Sequence, residues 1–559
     1  MAALICDILA VNIHASLEVG DKTLLKQVVS KLGFLCEHAA KVNGYNTSLH
    51  RNLAKNMREH VNCELEDFKR TATNPAPLGE LYAYDVSLAS KVLGHKNSWA
   101  GEKGFKRDIE RANLNLSFVE AQTRLLRAWK TLATTLSDGC DKDAELTVAL
   151  VTAAKKALEA NLDASLEVPF AAELLQTRAE MAFVLLSRLG HSSEKGLLPV
   201  AWSLVKTCPA NYDVATAPED LTYYTTLLQI LWLSLRPHVV AAKDKPSARE
   251  PATATILLEI VRRTIAPAFR ALCGNLHSST DLARPSDFSL LIALLRAALA
   301  VKGVQAIHVP LAEAIIDSNI VRGALSLYSW SDQLAAQTED QDPVYGELAA
   351  SFLVTLSDVP QVAEYMGKNS VLASLSSANL SNYFRQPSTV IGVPGGKGPF
   401  DEPTRMFTIW QSSFLPLCLN LLSALGPAIA PEISAFLNAF PLQLQRASTA
   451  LTNASPSPRN PRAGSVTLGL VHEARSLLLI SAALRAAAEI GPAEGIIGGE
   501  VEELDLDVQG LREEALALTK SERSLRDRVV VISSREERLG VDGLVEEIGR
   551  VVRGVEGLG

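Results

Sequence analysis

The chain has 559 residues, 47% of them apolar and only 6% aromatic, with a formal charge of −8 and a pI near 5.8. That length allows three or four domains of ~150 residues, or one repeat array whose units pack only on their neighbours. Leu and Ala carry most of the apolar content, which suits packed helices over sheets, and the acidic balance argues against a basic phosphate-binding stripe and for protein partners.

The N-terminal stretch Met1 to Val11 is apolar but holds Asp7 and lacks a basic flank. It reads as a core helix laid bare at the start of a fragment, not as a secretory leader. Leu24, Leu25, Val28, Val29, Leu32 and Leu35 form a helical stripe, broken by Asn43-Gly44. Leu49, Leu53, Met57, Val61, Leu65 and Phe68 form the next, ended by Asn74-Pro75-Ala76-Pro77, because proline lacks the N–H that a helix needs. Leu114, Phe118, Ala121, Leu125, Ala128, Leu132 and Leu136 follow at spacings of three and four, which predicts one buried helix face. Ser117 and Glu120 have capping-box spacing, so a regular helix is expected from Ser117. Glu120 and Arg124 add an i,i+4 ion pair, and Ser137-Asp138-Gly139 closes the helix.

Similar blocks recur near 143–161, 169–189, 195–208, 219–240, 250–275, 286–302, 309–335, 344–357 and 405–425. Short turns between long helices imply antiparallel neighbours. No tetratricopeptide or ankyrin signature is present, and HEAT or armadillo units of ~40–47 residues would fit about a dozen times. The expected fold is therefore all-α, an irregular α-solenoid of HEAT/armadillo-like helix pairs, with a compact multi-helix bundle as the structural alternative.

Expected divisions are a solenoid over 1–381, a Gly/Pro-rich loop over 382–404, further solenoid helices over 405–491 with a mobile loop at 454–464, and a less tightly packed helical tail over 492–559. Met406 to Pro431 carries no charge and is long enough to span a membrane. Its Gln411, Asn420 and three prolines, and the striping of its large residues, favour a buried helix pair.

Motifs for chemistry fail on inspection. Gly392-Val-Pro-Gly-Gly-Lys397-Gly398 lacks the first glycine and the hydroxyl of a phosphate loop, which has Ile391 and Gly398 at those places. Gly190-His-Ser-Ser-Glu-Lys-Gly196 has Glu194 where a nucleophile elbow needs glycine, so Ser192 or Ser193 reads as a helix cap. His472-Glu473 has Ser476 in place of the second histidine of a zinc-protease helix. The seven cysteines, Cys6, Cys36, Cys63, Cys140, Cys208, Cys273 and Cys418, are scattered and never form C-x-x-C. They argue against disulfides or zinc and for a reducing compartment. No catalytic, cofactor or metal site is expected.

Two features suit binding or regulation. Phe407, Trp410, Phe414, Leu417 and Leu421 make a strong stripe, followed after Gly426-Pro427 by Ile433, Phe436, Leu437, Phe440 and Leu444. The stripes serve either as mutual core packing or as a groove for a partner's amphipathic helix. Ser455-Pro456 and Ser457-Pro458 resemble proline-directed kinase sites in a loop.

Three passages carry a family resemblance: Leu81-Tyr-Ala-Tyr-Asp85; Trp99 through Gly104-Phe105 and Ala112-Asn-Leu-Asn-Leu-Ser-Phe-Val-Glu-Ala-Gln122 to Trp129; and Ile409-Trp410-Gln-Ser-Ser-Phe414 onward with Glu432 to Phe440. Together they resemble the C-terminal part of the fungal nucleoporin 188 family, large inner-ring scaffold proteins of the nuclear pore. The resemblance is distinct over 80–135 and 405–447. It implies a transport-receptor-like α-solenoid at the nuclear pore complex of the nuclear envelope, without enzyme activity. The partners it implies are other nucleoporins, especially a linker nucleoporin of the inner ring, together with transport factors; no nucleic acid and no transmembrane segment are implied. The chain is far shorter than such proteins, and their N-terminal solenoid is expected to be missing from it. The rival reading is a soluble HEAT-type transport receptor or adaptor that binds cargo or a small GTPase.

Overall fold

A computed structural model of the chain describes residues 1–29, 47–70, 84–93, 104–138, 144–162, 171–189, 196–213, 216, 218–240, 250–278, 283–336, 342–385, 405–453, 464–493, 501–532 and 534–556. Among these residues every regular element is helical, and extended backbone makes only two isolated bridges, Lys69 with Tyr84 and Val466 with Val529. The helices form two compact units, residues 1–245 and 246–559. The fold is an all-α solenoid, as expected, and its units are described in turn.

The first unit holds α1 (Ala2–Glu18), α2 (Thr23–Val29), α3 (Thr47–Val61), a tight turn at Leu65–Phe68, α4 (Val86–Leu93) and the long α5 (Phe105–Asp138). Then come α6 (Ala144–Leu162), α7 (Ala171–Leu189), α8 (Leu197–Thr207) and α9 (Pro218–Val240). Helices α5, α7 and α9 lie side by side in one layer, and α6 and α8 lie in the other. Arg127 pairs with Glu173, Lys130 Nζ with Glu180 Oε2 at 2.7 Å, and Arg188 with Asp138, in the same order along α5 and α7. Neighbours within a layer therefore run parallel, as stacked helix pairs require.

Two of the sequence passages singled out above meet here. Asn113 on α5 grips the backbone of Tyr84: its Oδ1 accepts from Tyr84 N at 2.9 Å and its Nδ2 donates to Tyr84 O at 2.8 Å. Asp85 Oδ1 then accepts from Ser87 N at 2.8 Å and Leu88 N at 3.0 Å, capping α4. Both Asn113 and Tyr84 are buried, so the amide pair satisfies backbone groups that would otherwise be costly to bury.

Helix α5 departs from the expected start and face. It begins at Phe105, and Ser117 Oγ donates to Leu114 O at 2.7 Å instead of capping. Its buried face is Ile109, Ala112, Leu116, Val119, Thr123 and Leu126; Ala128, Leu132 and Leu136 are also buried, but Leu114, Phe118 and Ala121 face solvent. Helices α3 and α4 and the turn at Leu65–Phe68 pack on the Ile109–Leu116 side and decide which register is inside. The Glu120–Arg124 pair forms as expected, at 2.7 Å.

The second unit opens with α10 (Glu250–Ile260), which passes through a π turn (Val261–Ile265) into α11 (Ala266–Ser278). The block expected at 309–335 is two helices, α13 (His308–Asp317) and α14 (Ile320–Ala336), parted at Asn319 with φ +61°. Asparagine tolerates that left-handed turn better than most residues. Around them lie α12 (Pro285–Leu299), α15 (Val344–Ser357), α16 (Pro360–Lys368), α17 (Val371–Ser377) and α18 (Asn379–Arg385). After 386–404 come α19 (Arg405–Ile409), a second π turn (Trp410–Phe414), α20 (Leu415–Leu425), α21 (Ala430–Asn438), α22 (Pro441–Thr449), α23 (Leu468–Ala493), α24 (Val508–Lys520), α25 (Glu522–Arg528) and α26 (Ser534–Glu556). Helices α11, α14, α18 and α22 form one layer; α12, α15, α19–α20 and α23 form the next.

Both π turns end two residues before a proline, Pro267 and Pro416. A helical proline offers no N–H and its ring crowds the carbonyl four residues back. The wider turn relieves this, with Ala266 N donating to Val261 O and Leu415 N to Trp410 O.

Hydrogen-bonded partners on neighbouring helices of a layer lie 46 to 54 residues apart in the first unit and 50 to 63 in the second, mostly longer than the expected period. In the second unit the extra length comes from third helices such as α13 and α16, which pack on each other. The loop expected over 382–404 starts later, since α18 runs to Arg385, and the helices before and after it pack together. Phe384 before it lies 5.6 Å from Phe414 after it, and Arg405 reaches back to Asp342 at 2.7 Å and to Glu347.

The tail, expected to be a less tightly packed helical region, is helical and docks mainly through one face of its last helix. Helix α26 lies on α23 and α24 and buries Leu544, Ile548, Val551, Val552 and Val555. The segment leading into α24 is pinned by Asn438, which donates to Glu503 O at 3.0 Å and accepts from Asp505 N at 3.2 Å. Valines at helical spacing supply the apolar face that composition alone concealed.

Candidate partner-binding surfaces

The run Arg405–Asn438 is long and apolar enough to cross a membrane by length and composition. Its packing accounts for that apolarity. Phe407, Trp410, Phe414, Leu417 and Leu421 are all buried, as are Ile433, Phe436, Leu437, Phe440 and Leu444. The two stripes meet each other and the neighbouring helices. Phe414 lies 5.2 Å from Phe436, 5.9 Å from Phe440 and 5.9 Å from Tyr328. Phe384 stands edge-on to Phe440 at 5.5 Å. The expectation of a docking groove at these five residues is corrected: they form the core, because α15, α18 and α23 cover the faces a partner would have used.

Polar groups inside this core are tied together. Trp410 Nε1 donates to Glu473 Oε1 at 2.7 Å, and Arg446 pairs with the same oxygen. The Arg446 guanidinium also sits 5.0 Å above the Phe407 ring, a cation–π contact. Burial pushes the Glu473 carboxyl above its ordinary range, against the pull of Arg446 and the indole. Glu473, half of a failed zinc motif in sequence, is thus a structural carboxylate. Only the pairing of a lone acid with distant Trp410 and Arg446 reveals it, and no local spacing signals that.

Of the other sequence features, Ser455 and Ser457, the segment Gly392–Gly398, and Ser192 with Ser193 lie outside the described residues. Helix α8 starts after Gly196. Cys6, Cys63, Cys208, Cys273 and Cys418 are free thiols, and burial pushes the Cys273 thiol up to about 12. Among the described residues no three His, Cys, Asp or Glu side chains gather as a metal site.

Surface apolar groups concentrate in the first unit. Leu114 and Phe118, one turn apart on α5, are 52% and 57% exposed. Helix α1, which packs along α5, exposes Leu4, Ile5, Ile8 and Val11 while burying Cys6, Ala10 and Ile13. Contiguous exposed apolar rows of this kind mark contact sites more often than isolated ones do.

Known proteins match this architecture. The chain is similar to Nucleoporin NUP188 of Chaetomium thermophilum, 32% identical over 91% of this chain and 29% of that protein. It is similar to Nucleoporin nup184 of Schizosaccharomyces pombe, 25% identical over 80% of this chain and 28% of that protein. It therefore spans less than a third of the length of these relatives. A solved fragment of Nup188 from Myceliophthora thermophila superposes with a TM-score of 0.53 and 27% identity, covering 65% of this chain and 97% of the fragment. Residues 197–547, from the start of α8 into α26, match the family described as nuclear pore protein NUP188 C-terminal domain. With its stacked parallel helices and its core-forming aromatic stripe, the chain belongs to that family of nuclear pore complex constituents at the nuclear envelope.

Proposed function

We propose that this chain is a non-enzymatic scaffold segment of the nuclear pore inner ring, which holds linear segments of a linker nucleoporin and supports nucleocytoplasmic transport. The observation that carries the reading is the family match over 197–547, set on stacked helices that bury their apolar faces within each unit. Other nucleoporins are the primary partners, and transport factors are further ones. An amphipathic helix docks on such a protein by laying its apolar ridge against exposed side chains one helical turn apart. Leu114 and Phe118 have that spacing and exposure.

Calorimetric titration of the purified chain with amphipathic segments of a linker nucleoporin tests the reading. Saturable binding supports it; the absence of heat with a folded, monodisperse chain removes it. Phe118→Asp is expected to change stability by less than about 0.5 kcal/mol, as surface substitutions do. It should weaken that binding about tenfold, a difference of ~1.4 kcal/mol. Under the same reading, phosphate on Ser455 or Ser457 would add about −1.5 to −2 charges and regulate partner binding. Phosphosite mapping from dividing cells should find at least one of the two serines modified.

A further inference from the structure

We draw no further inference here: the strongest candidate, the exposed apolar surface patch of Leu4, Ile5, Ile8 and Val11 on α1, carries none because nothing in the structure shows what covers it.

Discussion

Replacing Phe414 by Asp is expected to unfold the second unit. Phe414 is fully buried among Tyr328, Phe384, Phe436 and Phe440, and it sits at the end of the π turn that joins α19 to α20. Losing a buried phenylalanine costs about 3–5 kcal/mol through lost contacts and the cavity left behind. An unpaired carboxylate in its place adds several more. A domain is stable by only about 5–15 kcal/mol, so the sum removes most or all of the margin. Chemical denaturation followed by far-ultraviolet circular dichroism should show loss of a cooperative transition in Phe414→Asp, whereas Phe118→Asp should keep it. Equal stability of the two variants would mean that the stripe is not the core.

Arg446→Ala is expected to have the next largest effect, and to show it as a dependence on pH. The substitution leaves Glu473 buried with the Trp410 indole as its remaining hydrogen-bond donor. Removing one partner of a buried pair costs about 3–5 kcal/mol. The sign follows from the raised Glu473 carboxyl. A carboxyl whose folded value lies above its unfolded value, ~4.3, contributes stability that is fully present below the unfolded value and is lost as pH rises through the folded one. Without Arg446 the folded value climbs further. The gap in stability between the native chain and Arg446→Ala should therefore widen from pH 5 to pH 8 in urea titrations. Adding Glu473→Gln should close much of that gap, since the amide keeps an acceptor for Trp410 without a buried charge. A gap that is flat with pH would mean that Glu473 is not the group left unpaired.

Much of this protein was legible in its sequence. Apolar residues at helical spacing, punctuated by Pro, Gly and Asn, determined that the chain is all-α and where most helices begin and end. The passages around Tyr84, Asn113 and Trp410 were enough to point to the nucleoporin 188 family. Their specificity has a physical basis in the structure, where Asn113 grips the Tyr84 backbone and Trp410 binds Glu473. Such long-range polar pairs constrain residue identity more tightly than Leu-for-Leu packing does.

Only the tertiary structure decided which faces are inside. On α5 the Leu114–Phe118 register and the Ile109–Leu116 register are both apolar, and spacings of three and four allow either. Helices α3 and α4 cover the second and leave the first in solvent. The stripe from Phe407 to Leu421 is equally fit for a groove or a core, and it became a core because α15, α18 and α23 lie against it. Periodicity reports that a helix has an apolar side; burial is a property of the pair of surfaces that meet, and the second surface is supplied by residues some fifty positions away.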